Sequence, residues 1–301
     1  MPTAAATDEV RDAARAIARV VEPIVGQVFF AAECHERYVA LGFNPSPGGT
    51  KDGVAFPDGA AYFTSRGSAL GQAPGELVAA AFGVFNPDVV VPAVSYGWTL
   101  TDAATIAEER LLGAVDQLTR LLGARPEGLE RATELLQRAT DPLEPWGRAL
   151  FAGTLSQPLP ATPLGDLFRL GDRLREFRGD SHIAAWVAAG FDAVEIGLLT
   201  EPYWGIPART YIRTRGWNDA RLDAAEERLR SAGLIADSGL TEAGSVVRED
   251  LELATDAQIQ PAIEALGDDL DELIGLLTPW GRQIMAGAGY PPSPLAIAPQ
   301  P

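Results

Sequence analysis

The chain has 301 residues, enough for two domains or for one large domain of two lobes whose cores need no covalent staples. Its 24 basic residues stand against 41 acidic ones, and a formal charge of −17 repels a phosphate backbone unless a basic face is segregated locally. Cys34 is the only cysteine, so an intrachain disulfide is excluded and the cytoplasm is the expected location. The N-terminal segment is amphipathic, and the longest apolar stretches, residues 77–85 and 89–94, fall far short of the ~20 residues that cross a bilayer. Neither a signal peptide nor a membrane span is expected.

Val10, Ala14, Ile17, Val21 and Ile24 recur at three- and four-residue spacing and predict a first helix over residues 8–25, with Pro23 near its end. A short helix over 32–41 stops at Gly42, and residues 44–59, dense in Pro, Gly and Asp, predict a long loop of the kind that serves as a lid or is disordered. Helical pattern resumes over 75–85, 87–98 and 102–122, the last with Thr101 or Asp102 as cap, and again over 126–139. A further helix is expected to begin near Pro145. The Pro-rich stretch 156–163 divides an N-terminal helical lobe, 1–155, from a C-terminal lobe, 164–290, and 291–301 reads as a Pro-rich tail.

In the second lobe the pattern predicts a helix over 164–177, a turn at 178–181, a continuation through 189, and helices over 193–203, 206–215 and 219–232. After Gly233, Leu234-Ile235 predicts a short strand, Asp237-Ser238-Gly239 a turn, and Leu240-Thr241 a return before a capped helix. Helix, helix, two-stranded wing and helix is a winged-helix arrangement.

Several words occur twice. LEPWGRALFAG at 143–153 returns as LTPWGRQIMAG at 277–287, the tryptophans Trp146 and Trp280 lying 134 residues apart. AEER recurs at an offset of 118 (Ala107, Ala225) and Gly-Trp at 119 (Trp98, Trp217), so two copies of one unit would differ by roughly sixteen residues between AEER and PWGR, where the wing falls. The fold class that follows is mainly α, with duplicated winged-helix-like lobes and a small two-stranded wing. The repeated tryptophans are assigned to packing.

Residues 178–184 (RGDSHIA), 190–195 (GFDAVE), 214–217 (TRGW) and the wing at 234–244 resemble an actinobacterial helix-turn-helix, winged-helix-like family. Glu22-Pro23, Tyr62-Phe63 with Arg66, Leu70-Gly71 and residues 82–87 extend the resemblance, more weakly, to the first lobe. The resemblance implies a winged-helix-like fold and no settled activity. Where relatives place a histidine two residues after the Glu-Pro, this chain has Val25.

For the site, His35 and His182 are the only histidines, and on the duplication reading they face one another across a pseudo-two-fold axis. The bland alternative has His182 orienting the turn at 180–181. Tyr62, Phe63 and Arg66, beside the long loop, and Tyr203 and Trp204, which interrupt the repeat, are ligand-binding candidates with Arg178 and His35, because a few polar groups on apolar walls make a small-molecule pocket.

Three functions follow. The leading one is a small-molecule-binding protein with its ligand in the inter-lobe cleft, with a place in specialised metabolism left open. An enzyme, cofactor-independent or metal-assisted, would use His182 as acid/base, Asp180 or Glu195 as its orienter and Arg66 or Arg178 as anion anchor. A transcriptional regulator would need a basic strip along Arg209, Arg213, Arg215, Arg221 and Arg228. The helix carrying it is about one charge negative, and nucleic acid is disfavoured. The scattered His and Cys exclude a structural zinc site, the phosphate-loop and nucleophile-elbow motifs are absent, no cofactor is assigned, and a homodimer is left open.

Overall fold

The computed structural model describes residues 7–47 and 54–292; the middle of the expected long loop and nearly all of the Pro-rich tail lie outside the described residues. Helix α1 (Asp8–Gly26) opens at Thr7, whose hydroxyl accepts the Val10 N–H. It is followed by α2 (Ala32–Ala40), α3 (Gly59–Gly67), α4 (Gly75–Phe82) and α5 (Pro87–Leu100). Asp58 caps α3, and Asn86 caps α5, where Pro87 fills the first turn at no hydrogen-bond cost. Then come α6 (Ala103–Leu122), α7 (Leu129–Thr140) and α8 (Ala149–Ser156).

Helix α9 (Pro163–Ala188) follows a short connection and runs through the centre of the molecule. It is buried on nearly every side, which is why its sequence shows so weak an apolar stripe. Leu167, Phe168, Leu170, Leu174 and Phe177 join Ile17, Val21, Leu118, Leu135 and Phe151 in the main core. That core also takes Leu273, Leu277 and Ile284 from α14 (Leu270–Ala286), so it draws on both sides of the Pro-rich connection.

Between α9 and α14 lies the winged unit. Helices α10 (Ala193–Tyr203) and α11 (Asp219–Ser231) are followed by β1 (Ile235–Ala236) and β2 (Gly239–Leu240), then α12 (Glu242–Ala257) and α13 (Gln260–Leu266). The two strands pair antiparallel, Ile235 opposite Leu240 and Ala236 opposite Gly239. A small core of Val194, Leu198, Leu199, Ile212, Leu222, Ala225 and Leu229 holds α10 to α11. The fold is thus mainly α with a small wing. Among the described residues no single helix is long and apolar enough to cross a membrane; α9 and α10 pass such a test only as a pair, bent by 110°.

Three expectations are corrected. Residues 178–181 form no turn but the continuous middle of α9: Ser181 donates to Phe177 O one helical turn back, Asp180 accepts the Phe151 N–H of α8 at 2.9 Å, and Gly179 meets no crowding. Residues 206–211 are not helical, and only a 3-10 turn, Ile212–Arg215, remains of the expected helix. The cause is Glu201, fully buried, whose carboxylate accepts the N–H groups of Arg209 (2.6 Å) and Ile212 (2.8 Å) and so draws them away from a helical ladder.

The repeated words also part company. AEER lies inside a helix both times, in α6 and α11. The first PWGR, however, is a turn ahead of α8, with Gly147 at φ +73° and Trp146 76% exposed, while the second lies within α14 with Trp280 buried. Trp146 therefore does not pack. Gly147 in the left-handed region breaks the backbone of the first PWGR, whereas Gly281 stays helical against the Pro23 ring.

Candidate functional site

A cleft of about 620 Å³ opens where α1, α3 and the α4–α5 turn face α9 and the winged unit, a volume in the range of small-molecule sites. Its walls are aromatic: Tyr62, Phe82 and Phe85 from one side, Tyr203, Trp204 and Tyr211 from the other. Tyr62 lies 5.7 Å from Phe85, and Trp204 packs edge-on against Tyr211 at 5.1 Å.

The floor is one face of α9. Arg175, Arg178, Gly179 and His182 follow each other at helical spacing, and each lines the cleft. Glu176, almost fully buried, ties Arg66 of α3 to α9 through two hydrogen bonds (3.1 and 2.7 Å) and also accepts from Arg175. Arg175 forks onto Glu22 of α1, and Arg178 bonds Glu252 and Asp256 of α12. Burial alone would raise the Glu176 carboxyl, but the Arg66 and Arg175 guanidiniums outweigh it and hold it well below the usual carboxylate range. Glu252, opposed in the same way by Arg248 and Arg178, is held at about 2.

His182 sits in the middle of this floor. Its Nδ1 is 3.1 Å from the Thr255 hydroxyl, which commits its own proton to Leu251 O at 2.8 Å. Thr255 must then accept from Nδ1–H, so Nε2 carries the free lone pair. Burial lowers the imidazole to about 4, only partly opposed by Glu252, and the ring is neutral at pH 7.

Arg215 enters from the winged unit. Its guanidinium lies over the rings of Phe85 (4.6 Å) and Tyr211 (4.2 Å) and donates to the Tyr211 hydroxyl. The backbone behind it is clamped to the first half: Asn86 N–H donates to Arg215 O and Asn86 Nδ2 to Gly216 O, both at 2.9 Å, and Trp217 Nε1 donates to Val84 O.

Tyr62, Arg66, Arg178, His182, Tyr203 and Trp204 therefore meet in one cleft, although the sequence places them more than 140 residues apart at the extremes. Four other candidates do not join them. Phe63 is buried among Phe82 and Phe85. His35 is buried against Phe29 O at 3.2 Å and does not face His182, because the backbone carbonyl satisfies its Nε2 and the cleft lies elsewhere. Glu195 closes the capping box of α10 and pairs with Arg228. Asp180 points away toward α8, where burial raises its carboxyl to about 6.

Neither Asp180 nor Glu195 orients His182; Thr255 does. Arg66 and Arg178 are neutralised by Glu176, Glu252 and Asp256, so they are not free anion anchors. Among the described residues no three His, Cys, Asp or Glu side chains group as metal ligands. Sequence reasoning missed Glu176, Glu252, Phe85 and the role of Arg215. The spacing of 175, 178, 179 and 182 carries the first signal, masked by the turn-forming residue types at 178–181.

The model of a helix-turn-helix family matches residues 14–291, and the chain belongs to that family. No curated protein and no solved structure matches it.

Proposed function

We propose that this protein binds a small molecule in the cleft between its N-terminal helices and its winged unit. The observation that carries the reading is the cleft itself: about 620 Å³, walled by rings from both halves, with a neutral imidazole, arginines and the carboxylates of Glu22 and Glu252 as its polar groups. The solvent face of α11 supports it from the other side. Of the five arginines of the expected strip, Arg209 is tied to Asp223 and Glu226, Arg213 to Asp219, and Arg228 to Asp192 and Glu195, while Arg215 lines the cleft; only Arg221 is left without an acid among the described residues, so no continuous basic strip stands clear for phosphate. A reducing compartment fits the buried Cys34, whose thiol burial pushes up to about 12.

A thermal-shift screen over aromatic and polyketide-like compounds tests the reading, since a ligand of the folded state raises the melting midpoint by mass action. Stabilisation by one chemical series, abolished by Tyr62→Ala or Trp204→Ala, is the expected result. No shift across a broad set at millimolar concentration overturns it.

A second reading, a ligand-responsive transcriptional regulator, is favoured by the family and by one contact set. Tyr203, Trp204, Tyr211 and Arg215 belong to the winged unit and line the cleft, so a ligand there would bear directly on the α10–α11 pair.

A further inference from the structure

Resting on that reading, we propose that the cleft is built for a flat aromatic acid carrying one negative charge, with Arg215 as the anchor of its carboxylate. The first support is a census of charge. Arg66, Arg175, Arg178 and Arg15 all line the cleft, and each has carboxylate partners: Glu176, Glu22, Glu252, and the pair Glu249 and Asp256. Arg215 has none among the described residues. Its Nε is buried without a hydrogen-bond partner, and its one polar contact is the Tyr211 hydroxyl, a neutral acceptor.

Arg209 and Arg213, a few residues earlier in the same loop, are both paired with acids, and the other buried or half-buried arginines without an ion pair, Arg148, Arg169 and Arg173, do not line this cleft. In a chain with 41 acids and 24 bases, a half-buried guanidinium with no carboxylate leaves an uncompensated positive charge that an incoming anion would satisfy. Arg19, on α1 and also lining the cleft, is exposed and likewise has no acidic partner among the described residues, so a second unpaired cation borders the same space.

The rings specify the rest of the ligand. The Arg215 guanidinium lies over both Phe85 and Tyr211, with Tyr62 packed against Phe85 and Trp204 against Tyr211. A planar ring system beside a carboxylate fits such a slot. His182 lines the same cleft, and its Nε2, with no hydrogen-bond partner among the described residues, can accept one, which selects a ligand with a hydroxyl donor away from its acid group. A phosphate dianion seated against these rings would bring a second charge that Arg215, the one unpaired arginine over them, cannot neutralise alone.

The test uses 6-hydroxy-2-naphthoate, its neutral amide, cyclohexanecarboxylate and phenyl phosphate as probes, with melting midpoint and calorimetric Kd as readouts. The hydroxynaphthoate is expected to stabilise the protein and to bind at least tenfold more tightly than the amide. Arg215→Gln should weaken it roughly 10- to 100-fold, the loss of a charge-assisted hydrogen bond, whereas Arg221→Gln, on the exposed face of α11, should leave Kd unchanged. The acid-over-amide ratio in the unaltered protein decides the matter if Arg215→Gln does not melt cooperatively. An amide that binds as well as the acid, or an Arg215→Gln protein with unchanged Kd, overturns the inference and leaves the cleft reading standing. Tighter binding of phenyl phosphate overturns the carboxylate class. Failure of every probe, charged or neutral, overturns this inference, and the cleft reading falls with it only if the broad screen also gives no shift.

Discussion

Along the loop that precedes α11 and on α11 itself, Arg209, Arg213 and Arg228 each lie against one or two carboxylates in water, while Arg215 turns inward, meets two aromatic rings and finds no acid. The residue type is the same and the sequence distance is small. The difference lies in what each guanidinium faces: an exposed pair contributes little and is screened by salt, whereas a stacked, half-buried cation without a counter-charge keeps its field for a ligand. An arginine count along a recognition helix therefore says nothing about DNA until the partners are known.

The largest expected effect lies on the floor of the cleft, where arginines are neutralised by burial-held acids. Glu176→Gln leaves Arg66 and Arg175 short of their shared carboxylate and should destabilise the protein by about 3–5 kcal/mol in urea unfolding. A loss under about 1 kcal/mol would show that Glu176 is not what holds α3 to α9. The pH dependence has a fixed sign. Glu252 at about 2 in the fold, against 4.5 for a free side chain, contributes stability that is complete above about 4.5 and is lost as pH falls toward 2, and Glu176 acts in the same direction.

Gly216→Ala comes next. Gly216 sits at φ +79°, and a Cβ there would lie 2.8 Å from Val89 Cγ2, against the clamp that joins the winged unit to α5. Left-handed strain and overpacking together should cost about 2–4 kcal/mol. Because this clamp sets where Arg215 enters the cleft, the variant should also weaken hydroxynaphthoate binding. Unchanged affinity in a destabilised variant would separate the anchor from the clamp.

His182 gives a smaller and purely local signal. Its imidazole resonances should titrate near pH 4 in the folded protein, well below the ordinary 6.5. The fold favours the neutral ring, so this contribution to stability is complete above 6.5 and is lost as pH falls from there through 4. A midpoint at or above 6.5 by NMR would mean that the ring is solvated and that the Thr255 geometry is wrong.

The helices and the wing were legible in the sequence because they rest on local signals: apolar spacing in α1, the Asp102 cap on α6, and Asp237-Ser238-Gly239 between two short apolar pairs. What failed failed for non-local reasons. Glu201 unwinds residues 206–211 from another element, and Asp180 and Ser181 satisfy their side chains inside α9 and against α8, so their turn-forming tendency is overridden. The site was half legible. Tyr62, Arg66, Arg178, His182, Tyr203 and Trp204 stood out by type and setting, but which arginine lacks an acid is a property of pairs distant in the chain, such as Arg66 with Glu176, that no local pattern encodes.

The smallest expected effect concerns the face of α11. Among its arginines only Arg221 has no acidic partner among the described residues, and removing it should barely change stability, since exposed surface substitutions stay within about 0.5 kcal/mol. Its value is electrostatic. Exposed ion pairs are weak enough to exchange partners, so Arg209, Arg213 and Arg228 could in principle turn to phosphate, but Asp219, Asp223 and Glu226 would then stay beside the same phosphates and repel them. With about one cation free to displace counterions, the affinity for random duplex DNA should fall with a log–log salt slope near −1, and Arg221→Gln should flatten it further. A slope of about −5 or steeper in the unaltered protein would mean that several arginines reach phosphate together, and the contrast between the two sides of the winged unit would then have to be given up in favour of a DNA-binding face.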